Sequence, residues 1–230
     1  GPIQAETYER DRVSTFADVL FWEREKQELF YAINASKFPL CDILEAGCGT
    51  GRFMSDLVKR GHTIHGVDVS HFMLAASHRK LGKRPRCNLY RADVSHLPFR
   101  DNTFNFVYSI RVINQLPSKE YALNTLHELC RVCKNYGSIL VEYVNEWGLS
   151  RFSRAPSTYI SIRDVKRTLS QQRDCKISYV RGILFFSQSL WNALPRQILR
   201  WFVKFDALFC RFFAELSTRC YVYICKQERA

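Results

Sequence analysis

No stretch of this 230-residue chain approaches the ~18 consecutive apolar positions of a membrane-spanning helix. The longest uncharged, apolar-rich segment runs from Gly182 to Pro195, so no spanning segment is expected. No secretion signal is visible, and Gly1-Pro2, with no initiator Met before it, reads as a protease-cleavage remnant outside the fold. The nine cysteines lack obvious partners: they sit singly among apolar residues, in odd number, in a chain well above disulfide-scaffold size. That usage points to a reducing, cytoplasmic setting. No second pair at zinc spacing accompanies Cys130-x-x-Cys133, which therefore reads as packing, and no metal is expected. Carboxylates are short in one region only. Residues 1–150 carry 19 Lys+Arg against 17 Asp+Glu, whereas residues 151–230 carry 15 against 5, so most of the net charge of +12 lies in the last third. Such asymmetry suggests an anionic partner: a phosphorylated substrate, nucleic acid or an anionic membrane surface.

What is present is a chain of one-domain length organised around Glu45-Ala46-Gly47-Cys48-Gly49-Thr50-Gly51. An apolar run delivers this stretch and a helical pattern leaves it. Glycines at alternate positions let the backbone take positive φ and let a ligand lie directly against it, beside the free N–H groups of a helix start. A dinucleotide fingerprint spaces its last two glycines three apart; Gly49 and Gly51 are two apart, which argues for a nucleoside without a pyrophosphate.

Residues 6–37 show helical spacing that ends before Pro39. Strands are expected at Asp42–Ala46, Thr63–Val67, Cys87–Ala92, Phe104–Ile110 and Ile139–Val144. Between them, helices are expected at Arg52–Arg60, from Ser70 to about Leu81, and at Lys119–Cys133, with Asn135-Tyr136-Gly137 as a break. Five alternations with right-handed crossovers put all five strand ends on one edge, where Glu45, Asp68, Asp93, Ser109 and Glu142 collect. Asp68 lies 17 residues past Gly51, where a carboxylate can accept both ribose hydroxyls. His62, His65, His71, His78 and His127 fall on helices or at the far end of a strand and read as ordinary.

The ordered series Glu45–Gly51, Gly66-Val67-Asp68-Val69-Ser70, Ala92-Asp93 with Leu97-Pro98-Phe99, Phe104–Ser109 and Glu128–Lys134 before Gly137 resembles the class I S-adenosylmethionine-dependent methyltransferases, specifically the methyltransferase type 11-like group. The resemblance spans roughly residues 40–145. It implies an α/β fold, a doubly wound seven-stranded Rossmann-like sheet whose strands 6 and 7 form an antiparallel edge pair, with an N-terminal helical cap. The cap would occupy residues 3–37, the cofactor-binding core 38–150, and the C-terminal part of the same domain 151–230. S-adenosyl-L-methionine is the implied cofactor and S-adenosyl-L-homocysteine its product. On the matching positions, Gly47, Gly49 and Gly51 shape the methionine pocket, Glu45 sits beside the sulfonium and Asp68 holds the ribose diol. Val69 and Met73 flank the adenine, Asp93 accepts from its amine, the Val94 N–H reaches a ring nitrogen and Ser109 lies under the methionine. Tyr8 is similar to an N-terminal tyrosine that closes over the cofactor. Two departures stand out: Lys134-Asn135-Tyr136-Gly137 replaces Lys-Pro-Gly-Gly, and Asn114-Gln115 stands where many relatives carry a histidine.

Methyl transfer from a sulfonium needs positioning and a dry site more than a base. For an alcohol or phenol acceptor, His96, Tyr108, Tyr143 and Glu142 are the candidate bases near the right edge. No Asn-Pro-Pro-Tyr sequence follows strand four and no Pro-Cys nucleophile motif is present, which disfavours base-flipping amino methylation and pyrimidine carbon methylation.

In the last third, a helix is expected at Asp164–Ser170 and strands at Lys176–Phe186, bent at Gly182, and Tyr221–Cys225. Between these strands, across residues 189–216, Trp191, Leu194, Ile198, Trp201, Phe202, Phe205, Leu208, Phe209, Phe212 and Leu216 make one apolar stripe with Arg196, Arg200, Lys204 and Arg211 on another face. This basic amphipathic helix packs on the sheet or lids the substrate pocket, or else faces an anionic membrane. The resulting expectation is methyl transfer to an oxygen or nitrogen of a small-molecule or lipid-linked acceptor. A non-catalytic methyltransferase-like interaction protein and an RNA methyltransferase are the alternatives, and a nicotinamide dehydrogenase is more distant. Nucleic acid fits less well because the aromatics lie on a helix, not on a sheet face.

Overall fold

In the computed structural model, which describes residues 7, 14–148, 157–172, 174–186 and 188–228, seven strands form one sheet in the order β3-β2-β1-β4-β5-β7-β6. The strands are β1 (Asp42–Ala46), β2 (Thr63–Asp68), β3 (Cys87–Arg91), β4 (Phe104–Ser109), β5 (Cys133–Val144), β6 (Cys175–Leu184) and β7 (Arg219–Lys226). β1 to β5 run parallel, whereas β7 is inserted antiparallel between β5 and β6. The helices are α1 (Phe16–Asn34), α2 (Met54–Lys59), α3 (His71–Leu81), α4 (Lys119–Val132), α5 (Ile162–Gln171), α6 (Gln188–Ala193) and α7 (Arg196–Phe212).

Both faces of the sheet are covered, so its central strands are apolar on alternate and intervening positions alike. Ile43, Phe106 and Leu140 face α1 and α7, whose Phe21, Leu29 and Leu199 share their core; Leu44, Val107 and Val141 face α4 and α5 through Leu126, Leu129, Val165 and Leu169. α1 starts at a capping box in which Thr15 and Asp18 satisfy each other's backbone N–H. Cys130 and Cys133 lie buried in the α4–α5 core as packing, and all nine thiols are free. No helix among the described residues is long and apolar enough to cross a membrane.

Two elements differ from the sequence reading. β5 begins at Cys133, six residues early, because Cys133 pairs with Phe104 before the chain bulges and rejoins at Ser138 opposite Phe106. Within that bulge Tyr136 takes φ 63°, and a Cβ on Gly137 would meet the Asn105 carbonyl oxygen at 2.8 Å. The exposed carbonyls of the α4 end find an unforeseen cap: the buried Lys226 ammonium donates to the carbonyls of Cys130 and Cys133, each at 2.9 Å. The second difference is at Pro195, which divides the single expected helix into α6 and α7.

Candidate functional site

A cleft of about 340 Å³ opens at the C-terminal edge of β1, β2 and β4, the edge where ligands bind in open α/β sheets. Its floor is the glycine turn. The Gly47 and Cys48 N–H groups both donate to the Val67 carbonyl at 2.8 Å, which ties the turn after β1 to β2. Gly47 and Gly49 have φ of 79° and 53°. A Cβ at Gly47 would stand 2.2 Å from Val112 Cγ2, so that position tolerates no side chain, whereas Gly49 faces open space. Gly51 (φ 68°) does not line the cleft; a Cβ there would meet Ser77 Oγ at 2.5 Å, so it permits the close approach of α3.

Asp68, at the end of β2, accepts from the Gly49 N–H with one oxygen and the Ser70 N–H with the other, both at 2.8 Å. It therefore holds two loops in place and keeps lone pairs for a diol. Val69 is 66 % exposed and lines the cleft with Met73, whose N–H the Ser70 hydroxyl caps at the start of α3. Asp93 accepts from the Ser95 N–H and hydroxyl at 2.8 and 2.9 Å and from the Tyr121 hydroxyl. Burial opposes its charge, yet these donors hold the Asp93 carboxyl below the usual range. Val94 lies beside it in the wall.

Glu45 is the strained member of the set. It is 5 % exposed, its Oε2 has no hydrogen-bond partner, and burial pushes its pKa up to about 8 despite the nearby Tyr108 hydroxyl and Arg52 guanidinium, which favour the charged form. A buried carboxyl poised in this way suits a cation arriving in the cleft.

The opposite wall comes from side chains far apart in sequence. Glu25 of α1, fully buried, accepts from Arg111 Nε at 2.5 Å and pairs with Arg52 Nη2 at 2.9 Å. Although desolvation works against it, the two guanidiniums keep the Glu25 carboxyl below its ordinary pKa. Arg111 follows β4 at φ 60°, an uncommon conformation for a residue other than glycine, and its N–H donates to Glu142 Oε2 at 2.7 Å. Glu142 also accepts from the Arg219 guanidinium. Aromatic faces complete the wall: Arg52 lies 4.8 Å from the Trp22 ring centroid and 4.4 Å from that of Phe53, and Arg111 lies 4.5 Å from that of Phe21. Gln115, on a short 3-10 turn, donates to the Arg111 carbonyl and lines the cleft with Ile110, Val112 and Leu116.

The cleft thus brings together Glu45, Gly47, Gly49, Asp68, Val69, Met73, Asp93 and Val94 among the sequence candidates. Ser109 is not in its lining; it is fully buried and donates to the Ala46 carbonyl at 3.1 Å, bracing β4 against β1. None of the candidate bases lines the cleft. His96 is exposed and bonded to Ser95 at 2.9 Å. Tyr108 is packed behind Glu45 with its phenol kept protonated by burial, and Tyr143 points into the α4–α5 core, where burial likewise raises its pKa. Glu142 is consumed by Arg111 and Arg219. Tyr8 lies outside the described residues. Sequence reasoning missed Cys48, Thr50, Arg52, Phe53, Arg111 and Tyr121. Arg52 and Phe53 could have been found as continuations of the glycine turn, but Tyr121 carries no local signal. Among the described residues, no group of three or more His, Cys, Asp or Glu is placed to hold a metal ion.

With this geometry in view, the family model described as a methyltransferase domain matches residues 44–141, the span from β1 to β5 that builds the cleft. Residues 44–141 are thus similar to a methyltransferase domain, and the fold is that of class I S-adenosylmethionine-dependent methyltransferases of known structure. The chain is 37% identical over 131 residues to an uncharacterized protein of Methanocaldococcus jannaschii, covering 57% of this chain and 52% of that one. It is 31% identical over 102 residues to the phosphatidylethanolamine N-methyltransferase of Cereibacter sphaeroides, covering 43% and 48% respectively. The chain thus spans about half the length of these curated relatives. Among solved structures, the magnesium protoporphyrin IX methyltransferase of Synechocystis with bound SAH superposes with a TM-score of 0.64 at 13% identity, covering 93% of this chain and 88% of that one. The methyltransferase match ends at residue 141, so β6, β7, α6 and α7 lie outside it.

Proposed function

We propose that this protein is an enzyme that transfers the methyl group of S-adenosylmethionine to an oxygen or nitrogen of a small-molecule or lipid-linked acceptor, releasing S-adenosylhomocysteine. The observation that carries the reading is the buried Glu45 carboxyl, with its unpartnered Oε2, next to the bare backbone of Gly47 to Gly49 and in one cleft with Asp68 and Asp93. A nucleoside joined to a cation fits that set. Asp68 would accept the ribose hydroxyls, Val69 and Met73 would flank the adenine, and Asp93 with the Val94 N–H would read its edge. Glu45 would become ionised beside the positive sulfur.

When bound, S-adenosylmethionine would supply an activated methyl group, passed to the acceptor lone pair as the carbon–sulfur electrons return to sulfur and the acceptor's proton goes to solvent. This chain's residues position and desolvate. Arg52, Phe53, Ile110, Arg111 and Val112 close the acceptor end with aliphatic and aromatic surface and with guanidiniums already engaged by Glu25. A lipid-linked acceptor, met at an anionic membrane surface through residues 189–216, is favoured by the basic, aromatic character of that segment and by the relative named for a phosphatidylethanolamine substrate. Calorimetry with S-adenosylhomocysteine is the test. Micromolar binding that Asp68→Ala weakens at least tenfold and Val69→Asp also weakens is expected. No binding, or binding indifferent to both changes, would refute the reading; binding without methyl transfer to any acceptor would make the chain an interaction protein.

A further inference from the structure

Helix α7 is fixed on one side and unpartnered on the other. Inside, Leu199, Asp206 and Cys210 are buried, and Asp206 accepts from Arg24 at 2.8 Å and from the N–H groups of Phe185 and Phe186 at 3.1 and 3.0 Å. Phe202 and Phe209 join those two phenylalanines in a ring cluster with centroid separations of about 5 Å. Outside, Ile198, Trp201, Phe205, Leu208 and Phe212 recur at steps of three and four residues and so form one line along the axis. They are 54, 74, 49, 51 and 69 % exposed. Single exposed apolar side chains are ordinary; a row of five over four turns marks an interaction surface.

A second line runs beside the first. Arg196, Arg200, Lys204 and Arg211 are all exposed, and α7 carries no carboxylate on its outer surface, because its single acid, Asp206, faces inward. The Lys204 ammonium lies 5.2 Å from the Trp201 ring centroid, joining the two lines. Packing α7 of a second copy against this surface would set four cations against four with no acid between them. A surface of lipid phosphates supplies the missing negative charge and an apolar layer beneath it.

We propose that α7 docks this protein on an anionic lipid surface, with Trp201, Phe205 and Phe212 in the boundary between headgroups and acyl chains and the Arg–Lys line on the phosphates. This deepens the lipid-linked reading of the acceptor and rests on it for its purpose, though not for its test. The geometry connects the two. Arg24 and Glu25 are neighbours on α1: Arg24 holds α7 through Asp206 and through the Val203 carbonyl at 2.7 Å, and Glu25 holds the acceptor wall through Arg52 and Arg111. One turn of α1 therefore spans from the lipid-facing helix to the cleft.

The test is cosedimentation of the full chain, without cofactor, with vesicles of phosphatidylcholine alone and of phosphatidylcholine mixed with phosphatidylglycerol. Binding to the mixed vesicles only is expected, with a loss of about thirtyfold in the Arg200→Glu, Lys204→Glu pair and of more than about tenfold in the Trp201→Ser, Phe212→Ser pair. All four positions are exposed, so calorimetric affinity for S-adenosylhomocysteine should be the same in every variant; a chain that fails to bind that ligand but still sediments refutes the enzyme reading and leaves the docking intact. No sedimentation with mixed vesicles, or sedimentation indifferent to both pairs of substitutions, would overturn the proposal. A dimer in solution that the Trp201→Ser, Phe212→Ser pair dissociates would overturn it in favour of a contact between copies.

Discussion

At its glycine end the cleft is walled by backbone: Gly47 and Gly49, the Gly49 and Ser70 N–H groups on Asp68, and the Ser95 N–H on Asp93. At its other end Arg52 and Arg111 line it, held from behind by Glu25, Glu142 and, through Glu142, Arg219. The first end is local in sequence and rigid because its hydrogen bonds belong to turns. The second draws on α1, the start of α2, the end of β4, β5 and β7, and keeps its geometry only while every member is present. A site built this way couples a fixed grip on one ligand to a wall that can change without touching that grip.

That contrast can be broken in several ways. The largest effect is expected from Glu25→Ala, which would leave two buried guanidiniums without their shared carboxylate and cost about 3–5 kcal/mol. Urea unfolding with an unchanged m-value would measure it, and affinity for S-adenosylhomocysteine should shift less than threefold in the folded fraction if the ends are independent. Gly47→Ala attacks the other end: a Cβ 2.2 Å from Val112 at φ 79° should cost about 2–4 kcal/mol and, unlike Glu25→Ala, lower cofactor affinity as well. The same denaturation series with calorimetry separates the two.

Glu45 gives a pH signature. Its folded-state pKa of about 8 exceeds the ordinary 4.5, so between those values the unfolded chain releases a proton that the native chain keeps. Its contribution to stability therefore falls as pH rises through that window, by up to about 1.4 kcal/mol per unit, and levels off above 8. Glu45→Gln should flatten that slope. Wild-type binding of a sulfonium ligand at neutral pH should release close to one proton, read by calorimetry in buffers of different ionisation enthalpy. The smallest effect is expected from Tyr121→Phe, which removes one donor from Asp93 and should weaken nucleoside binding about fivefold, consistent with about 1 kcal/mol for a single hydrogen bond.

The difference between the ends also explains what the sequence disclosed. β1 to β4, α3 and α4 were legible because alternation, caps such as Ser70, and glycine turns act within a few residues. The cofactor end was legible for the same reason. The charged wall was not, because nothing near Glu25 announces that Arg111, 86 residues on, will donate to it. For Tyr108 and Tyr143, strand periodicity gives a face but not its depth: each is fully buried, the first behind Glu45 and the second on the opposite side of the sheet. The apolar stripe of residues 189–216 was recognised, but which of its members point inward was not; Trp191 is fully buried and Trp201 is not because Pro195 turns the chain between them.

The cap that Lys226 places on the end of α4 has a consequence for biosynthesis. β7 is translated after every other described strand, yet it lies inside the sheet, between β5 and β6. Until residues 219–226 leave the ribosome, the β5 edge has no neighbour on that side and the carbonyls of Cys130 and Cys133 lack their ammonium. Docking of this one strand therefore closes the sheet and seals a helix in one movement.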